Sequence, residues 1–406
     1  MTKEHERLWF IKCSVIKVFS TLHSDILQTL LHYAEAEDFA GYDPYDTLNS
    51  WIPFHWFGKW GPVLAIQFQK RNPINIRPLL GIRKERNPKA IGLFLRAYSL
   101  LYQRDPRPEY LERMRALFTW LREHPSSGYS EYCWGYNFPW ASPVKYLPAY
   151  MPSVVATGFV VKGLFEYWRA TTDPEVLPLL RGAADFVLQH VERHEDECGI
   201  CFSYTPVMKD ACYNASLLGA EILAKCGNTE GTEGRDRVRM LVRRAVDFVV
   251  ARQKDDGCWN YSMDIETGKE RAQIDFHQGY VIESIEEIMR VTGERPPAWE
   301  QAVRKGLDYY RHTQFLDDGR SLWRVPKQWP VEIHNQAQGI ITFAMFDAYR
   351  SFAPVIAEWT QRNMYDSRGF FHHQHYQRHS IRIPYMRWSQ AWMAVALAVS
   401  DRKHSE

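Results

Sequence analysis

The sequence predicts an all-α protein, a single toroid of helical hairpins of the (α/α)6 or (α/α)7 class. The first observation behind this fold class is a repeat that recurs over residues 182–369. In each copy an acidic residue directly precedes an aromatic residue, and a glycine follows after a further helical stretch. The copies begin at Asp185-Phe186, Asp247-Phe248, Asp308-Tyr309 and Glu358-Trp359, at spacings of 62, 61 and 50 residues.

The second observation is the pattern of apolar residues on either side of each loop. Before the loop, residues 238–249 carry an apolar stripe at helical period, which is typical of a helix with one buried face. After the loop, residues 339–349 and 391–399 are apolar on nearly all sides. A helix of this kind is enclosed by others. Each unit therefore predicts an outer helix, a polar loop and an inner helix.

The third observation is the length of the unit. Repeats of about 50–60 residues that each form one hairpin bury their apolar faces only by stacking on neighbours. Four copies end near residue 400, and residues 107–171 form a fifth hairpin. The first 90 residues show no clear copy but leave room for one or two hairpins. We therefore predict one ring-shaped domain over residues 1–406; the alternative, an open solenoid, lacks an evident polar capping repeat.

Composition and charge limit which partners the protein can be expected to bind and in which compartment it is expected to lie. The chain has 50 Lys and Arg against 48 Asp and Glu, and the two signs are interspersed, so no nucleic-acid partner is indicated. No stretch is long and apolar enough to span a bilayer. Lys12 and Lys17 interrupt the N-terminal apolar run, and the seven scattered cysteines suggest free thiols. We expect a cytoplasmic protein.

The sequence gives no sign of a cofactor or of a metal site. Cys198 and Cys201 form a lone Cys-x-x-Cys without the second pair that a zinc site needs. Residues 372–379 hold four histidines, but no carboxylate partner can be assigned to them. We expect these histidines, His373 among them, to contact a polar ligand.

A ring of hairpins predicts where a ligand site lies, because the inner helices all begin at one end and their loops gather over the centre. These loops and helix starts combine flat aromatic rings with hydrogen-bonding groups, a combination that favours a ligand site. We predict one funnel, lined from the loops by Trp134, Tyr136, Trp259, Asn260, Tyr261, Trp323 and His373, and from the helix starts by Asp275, His277, Gln278, His334, Asn335, Gln338, Tyr385, Arg387 and Trp388.

The glutamines form a column of their own. Gln278, Gln338 and Gln390 each stand directly before a small residue, and we align them as equivalent positions. Polar side chains at helix starts also cap unpaired backbone N–H groups. For any single residue the structural role is favoured, whereas the recurrence across units favours the wall of a site.

Residues 41–50, GYDPYDTLNS, place Asp43 and Asp46 around a proline. A turn followed by a capped helix start is the favoured interpretation. The alternative is a pair of carboxylates presented to the mouth of the funnel.

The chain resembles the six-hairpin toroid superfamily of carbohydrate-active proteins, which includes glycoside hydrolases, polysaccharide lyases and the C-terminal domain of glucuronyl C5-epimerases. The stretches YDPYDTLNS, DFHQG (275–279) and HNQAQGI (334–340) resemble proteins associated with polysaccharide biosynthesis. The resemblance implies a carbohydrate-processing protein, more consistent with an enzyme than with a binding module, whose partner is an oligosaccharide or glycan. It leaves the oligomeric state open.

Within this class the sequence favours proton chemistry at C5 of a uronic acid, as in an epimerase or a lyase, because the wall is rich in Tyr and His and poor in carboxylates. Arg387 would bind the substrate carboxylate with both arms of its guanidinium. Trp134, Trp259 or Trp323 would stack on a sugar ring. For the catalytic groups we predict His334 or Tyr261 as the base and Tyr136 or Tyr385 as the acid, with Asp275 and His277 as further candidates.

Three alternatives stay open. A glycoside hydrolase similar to unsaturated-glucuronyl hydrolases would need two carboxylates across the scissile bond. A non-catalytic glycan-binding protein would need only the aromatic and amide groups. The stretch RQKDDGCW (252–259) also resembles the Gln-Trp repeat of terpene cyclases and prenyltransferases, but the Asp-x-Asp-Asp motif of those cyclases is absent. The carboxylate candidates for hydrolysis are Asp43, Asp46, Asp210, Asp275 and Glu332.

Overall fold

The computed structural model describes residues 25–142, 145–226 and 232–400. Thirteen α-helices lie within these residues, and the connections between them carry short strands and turns. In chain order the helices are α1 (25–36), α2 (Trp60–Arg71), α3 (Pro88–Arg104), α4 (Pro108–Glu123), α5 (Val154–Thr171), α6 (Val176–His190), α7 (Tyr213–Cys226), α8 (Thr232–Val250), α9 (His277–Thr292), α10 (Pro297–Gln314), α11 (Ile333–Ala344), α12 (Ala353–Met364) and α13 (Ala391–Ser400).

The helices alternate between two concentric layers. The inner layer holds α3, α5, α7, α9, α11 and α13, and the outer layer holds α1, α4, α6, α8, α10 and α12. Each inner helix contacts the next one, and the last, α13, contacts the first, α3. The described chain is therefore a closed ring of six hairpins, which confirms the predicted (α/α)6 class over the (α/α)7 alternative. Helix α2 belongs to neither layer.

The strands lie in the connections, mainly in the loops that lead from an outer to an inner helix, and all their pairings are antiparallel. Two three-stranded sheets, β7-β8-β9 and β10-β13-β14, join loops of neighbouring hairpins. The strands are β1 (Ala40–Gly41), β2 (Glu85–Arg86), β3 (Trp140–Ala141), β4 (Tyr146–Leu147), β5 (Arg193–Asp196), β6 (Gly199–Phe202), β7 (Ala211–Cys212), β8 (Ser262–Met263), β9 (Glu270–Arg271), β10 (Val331–Glu332), β11 (Tyr365–Asp366), β12 (Phe370–Phe371), β13 (Gln374–His375) and β14 (Ser380–Ile381).

The glycine that follows each acidic–aromatic pair is explained by a close approach to the next outer helix. Gly257 and Gly319 adopt φ of +97° and +91°, and a Cβ there would lie 2.4 Å from the Lys305 carbonyl oxygen of α10 and 2.5 Å from that of Val355 in α12. Only glycine combines this backbone with this contact. Gly369 packs in the same way on Thr29 of α1, so the last loop closes the outer layer onto the first helix.

Charged side chains fill the axis of the ring below the starts of the inner helices. Lys162 of α5 lies 2.8 Å from Glu221 of α7 and 3.3 Å from Glu283 of α9, and Arg96 of α3 lies 3.0 Å from Glu283. Lys225 extends the network by pairing with Glu221 at 2.7 Å. These groups are buried, so every charge requires its partner. The network therefore links four of the inner helices, α3, α5, α7 and α9, through buried ion pairs.

Two sequence predictions concern parts of the chain that the structure does not describe. The N-terminal stretch around Lys12 and Lys17 lies outside the described residues, and so does Cys13. That residues 1–406 form one domain therefore stays a prediction. The six other cysteines are free thiols. Over the described ranges, no helix combines the length and the apolar character needed to cross a membrane.

Candidate functional site

The starts of the inner helices bring a group of aromatic and ionisable side chains together at one end of the ring. His334 of α11 lies at its centre and is almost fully buried. Its ring packs parallel to Phe276, with centroids 4.1 Å apart, and lies 4.6 Å from Trp388 and 4.3 Å from Trp392. A helix start buried among rings in this way can hold an imidazole in a fixed orientation.

The two nitrogens of His334 have different surroundings. Nε2 lies 2.5 Å from the Tyr280 hydroxyl, whereas Nδ1 has no hydrogen-bond partner among the described residues. Burial, reinforced by the positive charges of Lys89 and His277, lowers the pKa of His334 well below its ordinary value. His334 is therefore a neutral imidazole with one unengaged nitrogen, as a proton acceptor requires.

His277, at the start of α9, is held by a carboxylate. Its Nδ1 lies 2.5 Å from Oδ1 of Asp275, whose backbone position just precedes the helix. Asp275 is buried, and its other oxygen lies 2.9 Å from Gln273 Nε2 and 3.4 Å from Arg324 Nε. Burial alone would raise the pKa of Asp275, but His277 and Arg324 bring it below its ordinary value. The carboxylate keeps the proton on Nδ1 and leaves Nε2 available to a ligand.

Both imidazoles pack on the same phenyl ring. The centroid of Phe276 lies 4.2 Å from that of His277 and 4.1 Å from that of His334. The structure therefore brings together two of the predicted catalytic residues. The Tyr261 ring lies 4.8 Å from His277 and completes this side of the group.

Arg387 is engaged within the protein, which corrects its predicted role as the clamp of a substrate carboxylate. Its Nε and Nη2 donate to the two oxygens of Asp43 at 2.6 and 2.8 Å, and both residues are buried. Asp46 accepts one hydrogen bond from Arg77 Nε, at 2.7 Å, and Arg77 Nη2 donates to the Asp43 backbone carbonyl at 2.8 Å. Asp43 also accepts the Tyr45 N–H, as expected for a turn, but the short 3-10 helix that follows, Asp46–Asn49, has no side-chain cap, so that part of the prediction is wrong. The two aspartates anchor the 41–50 segment over the ring and are not a free carboxylate pair.

The predicted tyrosines fall into two groups. Tyr136 and Tyr261 are half-buried, and the Tyr136 hydroxyl is hydrogen-bonded to that of Tyr204. Burial raises the pKa of all three phenols. They are therefore neutral groups that can donate a proton but are poor bases. Tyr385 lies apart from them, fully buried between His373 and the Arg77 guanidinium, with its ring centroid 4.9 Å from the former.

Two of the three predicted stacking tryptophans belong to the core. Trp134 and Trp259 are fully buried, and their indole N–H groups donate to outer-helix carbonyls of Leu121 and Val249 at 3.2 and 2.9 Å. They fix the loops to the outer helices and are not at the surface of the funnel. Trp323 is half-buried beside Arg324, so it can still contact a ligand.

The glutamine column is a set of backbone clamps, and its predicted register is wrong at one position. Gln278 accepts the Trp259 N–H and donates to the Trp259 carbonyl. Gln390 brackets Phe371 in the same way. In α11 the equivalent residue is Gln336, not Gln338, because Gln336 accepts the Ser321 N–H and donates to the Gly319 carbonyl. Gln338 instead donates to Glu283 in the axial network.

The other predicted polar wall residues also make structural contacts. Asn335 donates to the carbonyls of Leu322 and Trp323 and accepts the Phe276 N–H, so it ties two loops together. Asn260 donates to Glu270 at 3.0 Å. His373 is fully buried, with both ring nitrogens lacking a described partner. Trp388 donates to Glu332 at 2.7 Å and lies against His334.

Lys89 is a site residue that the sequence analysis missed. It lies in the first turn of α3, and its ammonium lies 4.0 Å from the ring centroid of Phe159, 5.2 Å from Trp392 and 5.9 Å from Tyr280. It is buried and has no hydrogen-bond or ion-pair partner in the described part of the chain. Burial, followed by the charge of Arg387, lowers the pKa of Lys89 well below its ordinary value. The signal available in the sequence was a lysine directly before the apolar run of residues 90–95.

Tyr280, Trp392 and Tyr45 were also missed. Tyr280 and Trp392 lie between Lys89 and His334, because each contacts both residues. Tyr45 covers Trp388 from the side of α2, where Lys70 donates to its hydroxyl at 2.5 Å. No group of three His, Cys, Asp or Glu side chains in the described ranges is placed to share a metal ion.

No protein-family model matches this chain, and no curated protein matches it. Solved structures do resemble it. A sugar epimerase from a ruminal bacterium superposes with a TM-score of 0.61 at 14% identity, over 79% of this chain and 89% of that one. Cellobiose 2-epimerase from Bacillus thermoamylovorans gives 0.59 at 16% identity, over 78% and 87%. An unsaturated glucuronyl hydrolase specific for heparin gives 0.59 at 11% identity, over 94% and 96%.

These likenesses confirm the predicted resemblance to carbohydrate-active six-hairpin toroids at the level of the fold. The identities are too low for the likeness to carry a reaction or a substrate over to this chain. The function must therefore be argued from the side chains of the site.

Proposed function

We propose that this protein is a carbohydrate epimerase, which removes a proton from one face of a sugar carbon and returns a proton to the other face. The observation that carries the proposal is the relation of His334 to His277. Both imidazoles lie against Phe276, yet one is a neutral ring with an unengaged nitrogen and the other is paired with a buried carboxylate. Two groups in such different surroundings suit the two halves of an acid–base reaction.

His334 is the proposed base. With its Nε2–H donating to the Tyr280 oxygen, the lone pair of Nδ1 accepts the proton from carbon. Because its surroundings hold the ring neutral, His334 is ready for this step at neutral pH. Tyr261, the other candidate, is less suitable because burial raises its pKa.

His277 is the proposed acid. Asp275 accepts from Nδ1 and fixes the orientation of the ring, so that Nε2 is the nitrogen that would give a proton to the carbanion from the opposite side. Tyr136 is a second donor within the same wall, since its phenol stays protonated. The sugar gains one proton and loses one proton, and the product differs only in the configuration of that carbon.

A uronic acid is the proposed substrate, with C5 as the reacting carbon. Removal of this proton places negative charge on the neighbouring carboxylate, and a cation must stabilise that charge. Lys89 is a buried amine without an anionic partner among the described residues, and it shares Tyr280 and Trp392 with His334. Burial lowers the pKa of Lys89 in the unliganded protein, and a bound carboxylate would favour the ammonium form against that effect. Lys89, rather than Arg387, would therefore bind the substrate carboxylate.

Hydrolysis is less well supported, because the candidate carboxylates are engaged. Asp43 and Asp46 each bind an arginine, Asp275 binds His277, and Glu332 binds Trp388. Asp210 lies 3.4 Å from Lys145 and accepts the Tyr204 N–H. A glycosidase needs one carboxylic acid and one carboxylate across a single bond, and no such pair stands free in the described residues.

A second candidate has the same proton chemistry at a different carbon. One similar structure is a cellobiose 2-epimerase, which suggests C2, beside the aldehyde of an opened reducing sugar, as the reacting carbon. In that case Lys89 would stabilise the enolate oxygen at C1. The two candidates differ in the carbon that exchanges its hydrogen.

The test is hydrogen exchange in D2O, followed by NMR and mass spectrometry. The protein is incubated with glucuronate-containing oligosaccharides in one arm and with neutral reducing disaccharides in the other. Deuterium at C5 of the uronate without chain cleavage supports the proposal, and deuterium at C2 of the reducing sugar supports the second candidate. A new C4–C5 double bond identifies a lyase instead.

The controls separate the site from the fold. His334→Asn and Lys89→Met are expected to abolish exchange, whereas His312→Gln, on the exposed surface of α10, keeps it. If neither substrate exchanges hydrogen but the protein still binds a glycan, the protein is a non-catalytic glycan-binding protein and not an epimerase.

A further inference from the structure

A large apolar surface lies on the segment between α1 and α3. Among the described residues it holds most of the exposed large hydrophobic side chains, and the most exposed is Trp56 at 79%. On α2 the exposed residues recur every four positions and form one stripe along the helix. The members of this surface, here called the apolar face, are Trp51, Trp56, Phe57, Trp60, Leu64, Phe68, Ile74 and Leu79.

The opposite side of α2 is already buried. Val63 and Ile66 pack with Ala141, Tyr45 and Leu48 in a small cluster of their own. Helix α2 is therefore apolar on two sides, and only one side is covered by the protein. A surface helix with two apolar sides needs a second apolar environment. A contiguous exposed surface of this kind marks an interaction site.

The charge of the segment identifies the partner. Residues 47–84 contain six Lys and Arg and no Asp or Glu. Lys59, Arg71 and Arg83 are exposed, and none of them pairs with a carboxylate in the described residues. Two copies of this segment would bring like charges together, which disfavours self-association. Cations beside exposed tryptophans fit an anionic lipid surface, because tryptophan resides at the membrane interface and basic side chains bind acidic headgroups.

We propose that the apolar face docks on an anionic membrane surface, with α2 lying in the plane of the interface. Trp60, Leu64 and Phe68 enter the boundary between headgroups and acyl chains, and Lys59, Arg71 and Arg83 contact the headgroups. This proposal does not depend on the proposed reaction. It places the site beside the membrane, since Lys70 of α2 binds Tyr45, which packs on Trp388.

The experiment is sedimentation of the full chain with lipid vesicles. Vesicles of an equal mixture of phosphatidylcholine and phosphatidylglycerol are compared with vesicles of phosphatidylcholine alone. We expect binding to the anionic vesicles and binding at least about tenfold weaker to the neutral ones. Added salt weakens the binding, because it screens the cations.

Two variants decide whether the apolar face is responsible. Trp56→Glu with Phe68→Glu changes two exposed side chains and should reduce vesicle binding about tenfold or more, at an unchanged melting temperature. The matched control is Met240→Glu. Met240 is an exposed apolar residue of α8 and does not belong to the apolar face. Equal binding of the double variant and the control would overturn the proposal. A second outcome would also overturn it. If the wild type does not bind vesicles but forms a dimer, and the double variant is monomeric, the apolar face binds a second copy of the chain.

Discussion

Arg387 donates two hydrogen bonds to the carboxylate of Asp43, although the two residues lie 344 positions apart in the chain. The pair joins the segment before α2 to the turn that begins the last inner helix. It therefore fastens the two ends of the ring across the site. Its burial makes each charge dependent on the other.

Asp43→Asn should destabilise the protein by about 3–5 kcal/mol, because it leaves the Arg387 guanidinium buried without a counter-charge. The free energy of unfolding in urea measures this loss. The matched control is Asp38→Asn, whose partner Arg86 lies at the surface, with the Asp38 side chain 77% exposed. A change below about 1 kcal/mol is expected there. Equal losses in the two variants would contradict the structural role of the Asp43 pair.

The pH dependence of exchange should reveal the base. Because burial and nearby cations lower the pKa of His334, the ring stays neutral below its ordinary value of 6.5. The rate of deuterium incorporation at low substrate concentration should therefore persist below pH 6.5 and fall only on further acidification. A decline centred at the ordinary value would argue against His334. A pH profile of the wild type beside that of Tyr136→Phe separates the base from the phenolic donor.

Asp275→Asn should slow exchange while leaving the fold intact. The carboxamide is a weaker acceptor for the Nδ1–H of His277 than the carboxylate is, so the proposed acid is held less firmly in its orientation. General acid–base groups contribute about 10²–10⁴-fold to rate, and a loss within this range is expected in kcat with little change in KM. The control is Asp317→Asn, since Asp317 is almost fully exposed on a loop. If the loss appears only in KM, Asp275 binds substrate rather than positioning the acid.

The amide clamps should affect stability and not chemistry. Gln336→Ala leaves the Ser321 N–H and the Gly319 carbonyl without their side-chain partner, at a cost of about 1–3 kcal/mol for each unsatisfied buried group. The rate of exchange per folded molecule should stay at the wild-type level. Gln301→Ala, an exposed position of α10, serves as the control for stability. A lower exchange rate at unchanged stability would instead place Gln336 in the wall of the site.

Acid should unfold the ring through its axial network. Burial alone would raise the pKa of Glu283, but Lys162 and Arg96 lower it to about 2 from an ordinary 4.5. A depressed folded pKa gives stability that is present above pH 4.5 and is lost as the pH falls toward 2. Glu283→Gln should flatten the decrease in melting temperature across this range. The same steep decrease in the variant would assign acid unfolding to other carboxylates.

The repeats allowed the ring to be predicted because each of their positions has a single physical cause. The acidic residue of the outer helix binds an aromatic side chain near the next outer helix, as Asp247 accepts from Trp299 and Asp308 from Tyr349. The glycine that follows permits a close backbone contact. The two contacts stand at the same positions of neighbouring hairpins, so the residues that make them appear in the sequence as a period.

The candidate site was only partly predictable, because its residues differ between hairpins. His277 and His334 were found as unusual side chains at helix starts. Lys89 was missed because its hairpin lies before the clear repeats. The glutamine that binds the loop before α11 was predicted wrongly as Gln338, because the Gln-Gly pair was used for the alignment. The loop in fact places Gln336 opposite Ser321. The apolar face was not predicted, because the sequence of residues 51–79 shows that the segment is hydrophobic but not which of its side chains are exposed.

The contact between α13 and α3, together with the packing of Gly369 on Thr29, gives the ring no first or last unit. The six hairpins are synthesised in the order in which they follow one another round the ring, and the last one also packs on the first. A circularly permuted chain, joined by a linker after α13 and opened in the exposed turn between α9 and α10, should keep every interface of the ring. In the natural chain, the hairpin of α12 and α13 can pack on α1 only after the whole polypeptide has been synthesised. In the permuted chain, this hairpin and α1 would be synthesised one directly after the other.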